Sequence, residues 1–171
     1  MKNIILIGFM GCGKTSVGIR LSYRLRRTMT DTDKMIERLY KMTVSEIFAK
    51  WGEEEFRRME TECLGRLLEE SDGQIISVGG GLPMRSENRD LLKKLGTVVY
   101  LKVTAETVCK RLAYDTTRPL LQGDDPEEKV RTLLDKRSPI YESAADIIVE
   151  VDEKDFDAIM DEIMEKVGEE G

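Results

Sequence analysis

Residues 3–7, Asn-Ile-Ile-Leu-Ile, form a short apolar run rich in β-branched side chains, the pattern of a strand covered on both faces. Over residues 14–27 the period changes: Val17, Leu21 and Leu25 fall four apart, on one face of a helix. Further along, the spacing predicts helices over 31–41, 43–51 and 53–71, a strand over 74–78 and a helix over 86–95. A strand over 97–103, a helix over 105–114, a polar loop over 115–124 and a helix from 126 to about 136 follow, then a strand over 146–151 and a helix over 153–168. Thr43-Val-Ser-Glu46 fits a capping box at the start of the 43–51 helix. Before Asp31 the segment Arg26-Arg-Thr-Met-Thr30 is polar, so any second strand there is weak. Strands alternating with helices, without repeats or Pro-rich linkers, imply an α/β fold in which a parallel sheet is covered on both faces. Ligands in such folds bind at the carboxyl ends of the strands.

A length of 171 residues fits a single domain with a sizeable core, and 40% hydrophobic with 35% charged residues fits a soluble globular chain. The net charge of −6 argues against a general nucleic-acid partner. No apolar run approaches the length that spans a bilayer, and the chain enters its first strand at once, so neither a membrane anchor nor a signal peptide is expected. Cys12, Cys63 and Cys109 are odd in number and widely spaced, which points to a reducing, cytoplasmic setting without disulfides or zinc. Histidine is absent altogether. That excludes a Ser-His-Asp triad, a histidine general acid and a His-ligated metal. Chemistry must therefore run on carboxylates, Lys, Arg, backbone amides and a bound hard cation.

Between the first strand and the first helix lies Gly8-Phe-Met-Gly-Cys-Gly-Lys-Thr15, which fits the G-x-x-x-x-G-K-[ST] P-loop. Gly8, Gly11 and Gly13 let the backbone aim N–H groups at an anion, and the helix N-terminus adds positive potential. Lys14 is expected to reach the β- and γ-phosphates and the Thr15 hydroxyl to ligate Mg²⁺. Cys12 occupies a variable position and reads as filler, not as a nucleophile.

A P-loop specifies nucleotide binding and little more. No Asn-Lys-x-Asp guanine reader is present, strand 74–78 is followed by glycine, and strand 97–103 offers no acid of the kind ATPases use for magnesium. Asp31-Thr-Asp33 is the best substitute: one carboxylate for the Mg²⁺ water shell, one to accept a proton. A helix N-cap is an equal alternative. Arg57 and Glu60 share a helix face, a pairing that can orient the Arg fork toward a ligand carboxylate. A solvated charged helix explains the same run, and nothing in it separates Arg57 from Arg58. Gly79-Gly80-Gly81 after a strand can bring amides close to a polar ligand, or simply make a turn. Arg118 in Arg118-Pro-Leu-Leu121 can stabilise charge during transfer or lie on the surface. Arg137 in Arg137-Ser-Pro-Ile-Tyr141 closes a helix, where a plain dipole interaction would account for it.

Together these segments, in this order and spread over residues 1–150, resemble the shikimate kinase family. The resemblance implies a nucleoside-monophosphate-kinase-like P-loop fold across 1–171, with a substrate-binding segment at about 31–60 and a lid at about 112–124. It implies ATP-dependent phosphorylation of shikimate to shikimate 3-phosphate, with Mg²⁺. Gly11, Cys12, Gly13, Lys14, Thr15, Ser16, Arg111 and Arg118 would form the ATP site, with Arg111 stacking on adenine. Asp33 would be the base, and Thr15 and Asp31 would support the metal. Arg57 and Arg137 would grip the substrate carboxylate, Gly79, Gly80 and Gly81 would offer amides to the ring hydroxyls, and Phe48 and Phe56 would pack nearby. Lys14, Asp33 and Arg118 would be catalytic. The partners are small molecules, not nucleic acid or membrane, and the chain would be a monomer. The chain departs from the family's usual Lys-Ser-Thr or Lys-Thr-Thr in having Lys14-Thr15-Ser16, a change without functional consequence. Rival readings are a gluconate or nucleoside monophosphate kinase, and a nucleotide-dependent switch without transfer activity. A switch would need neither Asp33 nor a substrate-side arginine.

Overall fold

In a computed structural model, which describes residues 2–112 and 125–168, β1 (Asn3–Ile7) is central and every one of its residues is buried. It pairs on one side with β3 (Ile75–Ser77) and on the other with β4 (Gly96–Lys102), so that Ile5 sits between Ile76 and Val98. β2 (Met29–Asp31) pairs outside β3, and β5 (Ile147–Glu150) outside β4. All pairings are parallel and the order is β2-β3-β1-β4-β5. A strand buried on both faces needs apolar residues at every position, which explains why the Ile-Ile-Leu-Ile run does not alternate.

The order of the strands sets the faces. The step from β1 to β2 runs opposite to the steps from β2 to β3 and from β3 to β4, so right-handed crossovers send their helices to opposite sides. α1 (Lys14–Leu25) accordingly packs with α7 (Phe156–Val167), while α3 (Val44–Glu70), α4 (Ser86–Leu95) and α6 (Pro126–Ala144) share the other face. α2 (Thr32–Tyr40) leaves β2 and packs on α3, and α5 (Ala105–Leu112) packs on α6. The loops after β1 and β3 therefore diverge, opening a crevice at the carboxyl ends of the strands.

Three local features set the ends of the elements around the crevice. β2 is only three residues long, as its polar sequence implies. α3 is broken at Gly52, whose φ of 86° no helix accommodates, so the two helices expected on either side of it are both present. Thr43 Oγ1 caps the first of them by accepting from the Glu46 amide at 3.1 Å. The third feature is a correction: the helix expected to stop near 136 runs to Ala144, straight through Pro139. An interior proline costs about 3 kcal/mol in an isolated helix. Here Tyr141 anchors the last turns, fully buried, with its ring 5.2 Å from that of Tyr100 and its hydroxyl donating to Gly80 O at 2.6 Å. The expected lid, with Arg118, lies outside the described residues apart from Leu112. No helix among the described residues is long and apolar enough to cross a membrane.

The two glycines of α3 should respond in opposite ways to alanine. Open space surrounds a Cβ at either position, but Gly52 has φ 86° while Gly65 is helical. Gly52→Ala should lower unfolding free energy by about 1–2 kcal/mol, whereas Gly65→Ala should raise it by about 0.5–1 kcal/mol. Urea unfolding reads both, and midpoints that move the same way would contradict the kink.

Candidate active site

The loop from Gly8 to Gly13 connects β1 to α1, and Gly13 takes a left-handed conformation (φ 95°) at the helix N-cap. Lys14 folds over the loop, its ammonium donating to Gly8 O at 2.7 Å and Phe9 O at 3.3 Å. Cys12 is buried, its sulfur 3.8 Å from Lys14 Nζ and against the Gly8 backbone, which fits filler. Arg111 reaches across from α5 and donates to Gly11 O at 2.7 Å, clamping the loop from outside. A cavity of about 260 Å³ lies between this loop, with Thr15 and Ser16, and a wall made by Asp31, Asp33 and Gly79–Gly80.

That wall comes from the ends of β2 and β3. Asp31 is the last residue of β2 and also caps α2, accepting from the Lys34 amide at 3.2 Å. Capping uses Oδ1, and the side chain still lines the cavity, so the two readings of this residue are compatible. Thr32, fully buried, accepts from the Gly79 amide at 3.2 Å and so ties the Asp-Thr-Asp segment to the triple glycine. The Asp33 carboxylate presses on Gly79: a Cβ there would lie 2.8 Å from Asp33 Oδ1 and 3.0 Å from Glu60 Oε2. A Cβ on Gly81 would overlap the Arg57 guanidinium. Close approach by side chains is thus what requires glycine at both positions.

Arg57 and Arg58 separate cleanly. Arg58 is exposed and bonds Glu55 and Glu62 on the helix surface. Arg57 turns inward, with 14% of its side chain exposed, and donates to Glu60 Oε1 at 2.6 Å and to Glu53 Oε1 at 3.2 Å. Burial alone would lower the Arg57 pKa, but Glu60 and Glu53 outweigh it and raise it. Glu60 has no exposed surface. Burial pushes its carboxyl up to about 7 against the pull of Arg57. Burial, with Asp31 adding to it and Lys14 opposing, pushes Asp33 up to about 6. Asp33 Oδ1 and Glu60 Oε2 are both buried without a hydrogen-bond partner among the described residues.

A second cavity, of about 790 Å³, is lined by Phe48, Glu53, Arg57 and Met84 on one side and by Leu133 and Arg137 of α6 on the other. Arg137 also lies against Gly80, 3.5 Å from where its Cβ would be, so Gly80 stands between the two cavities. Phe56 is buried and stacks at 5.0 Å on Phe48. Sequence reading missed the bracing roles of Thr32 and of Tyr141. Both residues stood inside motifs it quoted, but neither bond is local in the chain.

A model of the shikimate kinase family matches residues 10–168. The chain is similar to the shikimate kinase of Thermodesulfovibrio yellowstonii, 46% identical over 84% of this chain and 83% of the relative. It is 42% identical to that of Symbiobacterium thermophilum over 99% of this chain and 98% of the relative. The solved structure of a shikimate kinase from Acinetobacter baumannii in complex with shikimate superposes with a TM-score of 0.91 at 38% identity, covering 98% of this chain and 93% of that one. A gluconokinase from Sinorhizobium meliloti, at 16% identity and a TM-score of 0.59, shares the fold alone. On these similarities, and on a P-loop faced by an acid pair, a triple glycine and two inward arginines, the chain belongs to the shikimate kinase family, enzymes that phosphorylate shikimate with ATP.

Proposed function

We propose a division of labour by which this chain performs the reaction of its family, ATP-dependent phosphorylation of shikimate to shikimate 3-phosphate on the route to chorismate. The observation that carries it is the convergence of Asp33, Arg57 and Arg137, from three separate helices, on the Gly79–Gly81 backbone facing the P-loop. Gly11–Ser16 cradle the ATP phosphates, and Lys14 exchanges the carbonyls of Gly8 and Phe9 for the β- and γ-phosphates. Arg111 braces the loop through Gly11 O, and its stacking on adenine rests on family resemblance. So does the reach of Arg118, in a lid at 112–124, toward the phosphates.

Shikimate sits with its carboxylate on Arg57 and Arg137 and its ring beside Phe48 in the larger cavity. The Gly79 amide is already engaged by Thr32, which leaves Gly80 and Gly81 as backbone donors to the ring hydroxyls. Asp33 takes the proton of the attacking hydroxyl. Its Oδ1, without a donor among the described residues, supports this, because a buried acceptor left unpaired is costly and a substrate hydroxyl supplies the bond. Glu60 orients Arg57 from within.

The donors near the P-loop suit magnesium. Thr15 and Asp31 offer hard oxygens on one cavity, and no cluster of three metal-ligating side chains exists among the described residues. Mg²⁺ prefers that arrangement, with phosphate and water completing its shell. When bound it would neutralise charge on the transferring phosphate. Three free cysteines support a reducing, cytoplasmic setting.

Asp33→Asn should cut kcat at least ~10²-fold with ATP affinity nearly unchanged. It should also stabilise the chain at pH 8 more than at pH 4. A carboxyl raised to about 6 binds its proton more tightly when folded, so its contribution to stability is full at low pH and lost as pH rises through about 6. Thermal melts at both pH values, with steady-state kinetics, check both halves.

The same shift predicts a pH profile. The base must be ionised, so kcat/KM for shikimate should rise through about pH 6 and level off above it. A profile flat from pH 5 to 8 would remove Asp33 from this role.

Arg57→Lys and Arg137→Lys test the substrate directly. Lysine does not reproduce the planar fork, and losing such a contact should cost on the order of 2–4 kcal/mol of shikimate affinity. Calorimetric titration with shikimate and its methyl ester should show strong preference for the acid in the parent chain and its loss in both variants. Equal binding of acid and ester by the parent would exclude a carboxylate reader.

A further inference from the structure

Arg57 is held by two carboxylates of different character. Glu60 binds Nη1 from the interior at 2.6 Å and has no exposed surface, while Glu53 binds Nη2 at 3.2 Å with 63% of its side chain exposed. Glu53 lines the same cavity as Arg57 and Arg137. It directly follows the break at Gly52 and so opens the second half of α3 at the cavity rim. Glu60 therefore fixes the guanidinium from inside, and Glu53 bonds its other terminal nitrogen from the cavity rim.

We propose that Glu53 stands in for the substrate carboxylate on Arg57, and that shikimate binds by displacing it. This rests on the reading in which Arg57 grips that carboxylate. The geometry suits an exchange. The pair is long and its acid half is exposed, so it holds Arg57 more weakly than the short, buried Glu60 pair does. Glu53 can swing into solvent without leaving a buried charge behind, which Glu60 cannot do. In the free chain the stand-in satisfies a mostly buried guanidinium and holds it in its binding rotamer. In the complex it costs affinity twice, through the lost pair and through its charge beside an incoming anion. A purely supporting residue would have the opposite effect: removing it would loosen Arg57 and weaken binding.

Glu53→Gln keeps the size of the side chain and removes its charge. Calorimetry should show shikimate binding roughly three- to ten-fold tighter, from an exposed pair plus a like charge a few ångströms away. Affinity for the methyl ester and for ATP should stay unchanged, and the gain should shrink in high salt. Glu54→Gln, the same charge change at an exposed neighbour, should give less than half of the effect. Unchanged or weaker shikimate binding by Glu53→Gln, or an equal gain in Glu54→Gln, would overturn the exchange. Arg57→Lys keeps the two claims apart. If it abolishes the preference for acid over ester while Glu53→Gln fails to tighten binding, the exchange alone is wrong. If the parent chain shows no such preference, both are wrong.

Discussion

Everything at this site depends on bringing two carboxylates and a guanidinium into contact with one stretch of backbone at the end of β3. Asp33, Glu60 and Arg57 crowd onto Gly79 and Gly81 so closely that no Cβ fits at either position without displacing one of them. The arrangement is unfavourable on its own terms. Among the described residues two buried carboxyl oxygens lack partners, and an isolated unsatisfied acceptor costs about 1–3 kcal/mol. Breaking the Arg57–Glu60 pair from either side would leave a charge stranded. A structure tolerates such a cluster where its polar atoms await a ligand that completes the bonding, and the rest of the fold supplies the stability that the cluster withholds.

The site is legible in the sequence only in part, for identifiable physical reasons. The P-loop and the strand before it were legible because both are local: five consecutive apolar residues, then glycines at fixed offsets. The choice between Arg57 and Arg58 was not. Each has acids at helical spacing on both sides, Glu53 and Glu60 for the first, Glu55 and Glu62 for the second. Only the inward turn of one side chain separates them, Arg57 keeping 14% of its side chain exposed and Arg58 53%, and both positions flank the apolar stripe of Phe56, Met59, Cys63 and Leu67 closely enough that spacing alone does not choose. Thr32 and Tyr141 escaped because their bonds reach 47 and 61 residues along the chain. Pro139 misled for the same reason. Its local cost is real, but the anchor that outweighs it is the remote contact of Tyr141 with Tyr100 and Gly80. That error matters chemically, since it would leave Arg137 at a frayed end, whereas it lies within a helix continued past it by two turns.

The absence of histidine connects the electrostatics to the fold. A general base works best with a pKa near the working pH, and histidine ordinarily supplies it. Here the groups that titrate near neutrality are carboxyls, Asp33 at about 6 and Glu60 at about 7, and burial is the leading cause in each. Burial at the carboxyl end of a parallel sheet requires a wall on every side. α2 supplies Asp33, α3 supplies Glu60, the triple glycine closes from β3, and α6 covers the far side with Arg137 and Tyr141. Lys14 and Arg57 pull Asp33 back down, so its value is a balance between desolvation and two nearby cations.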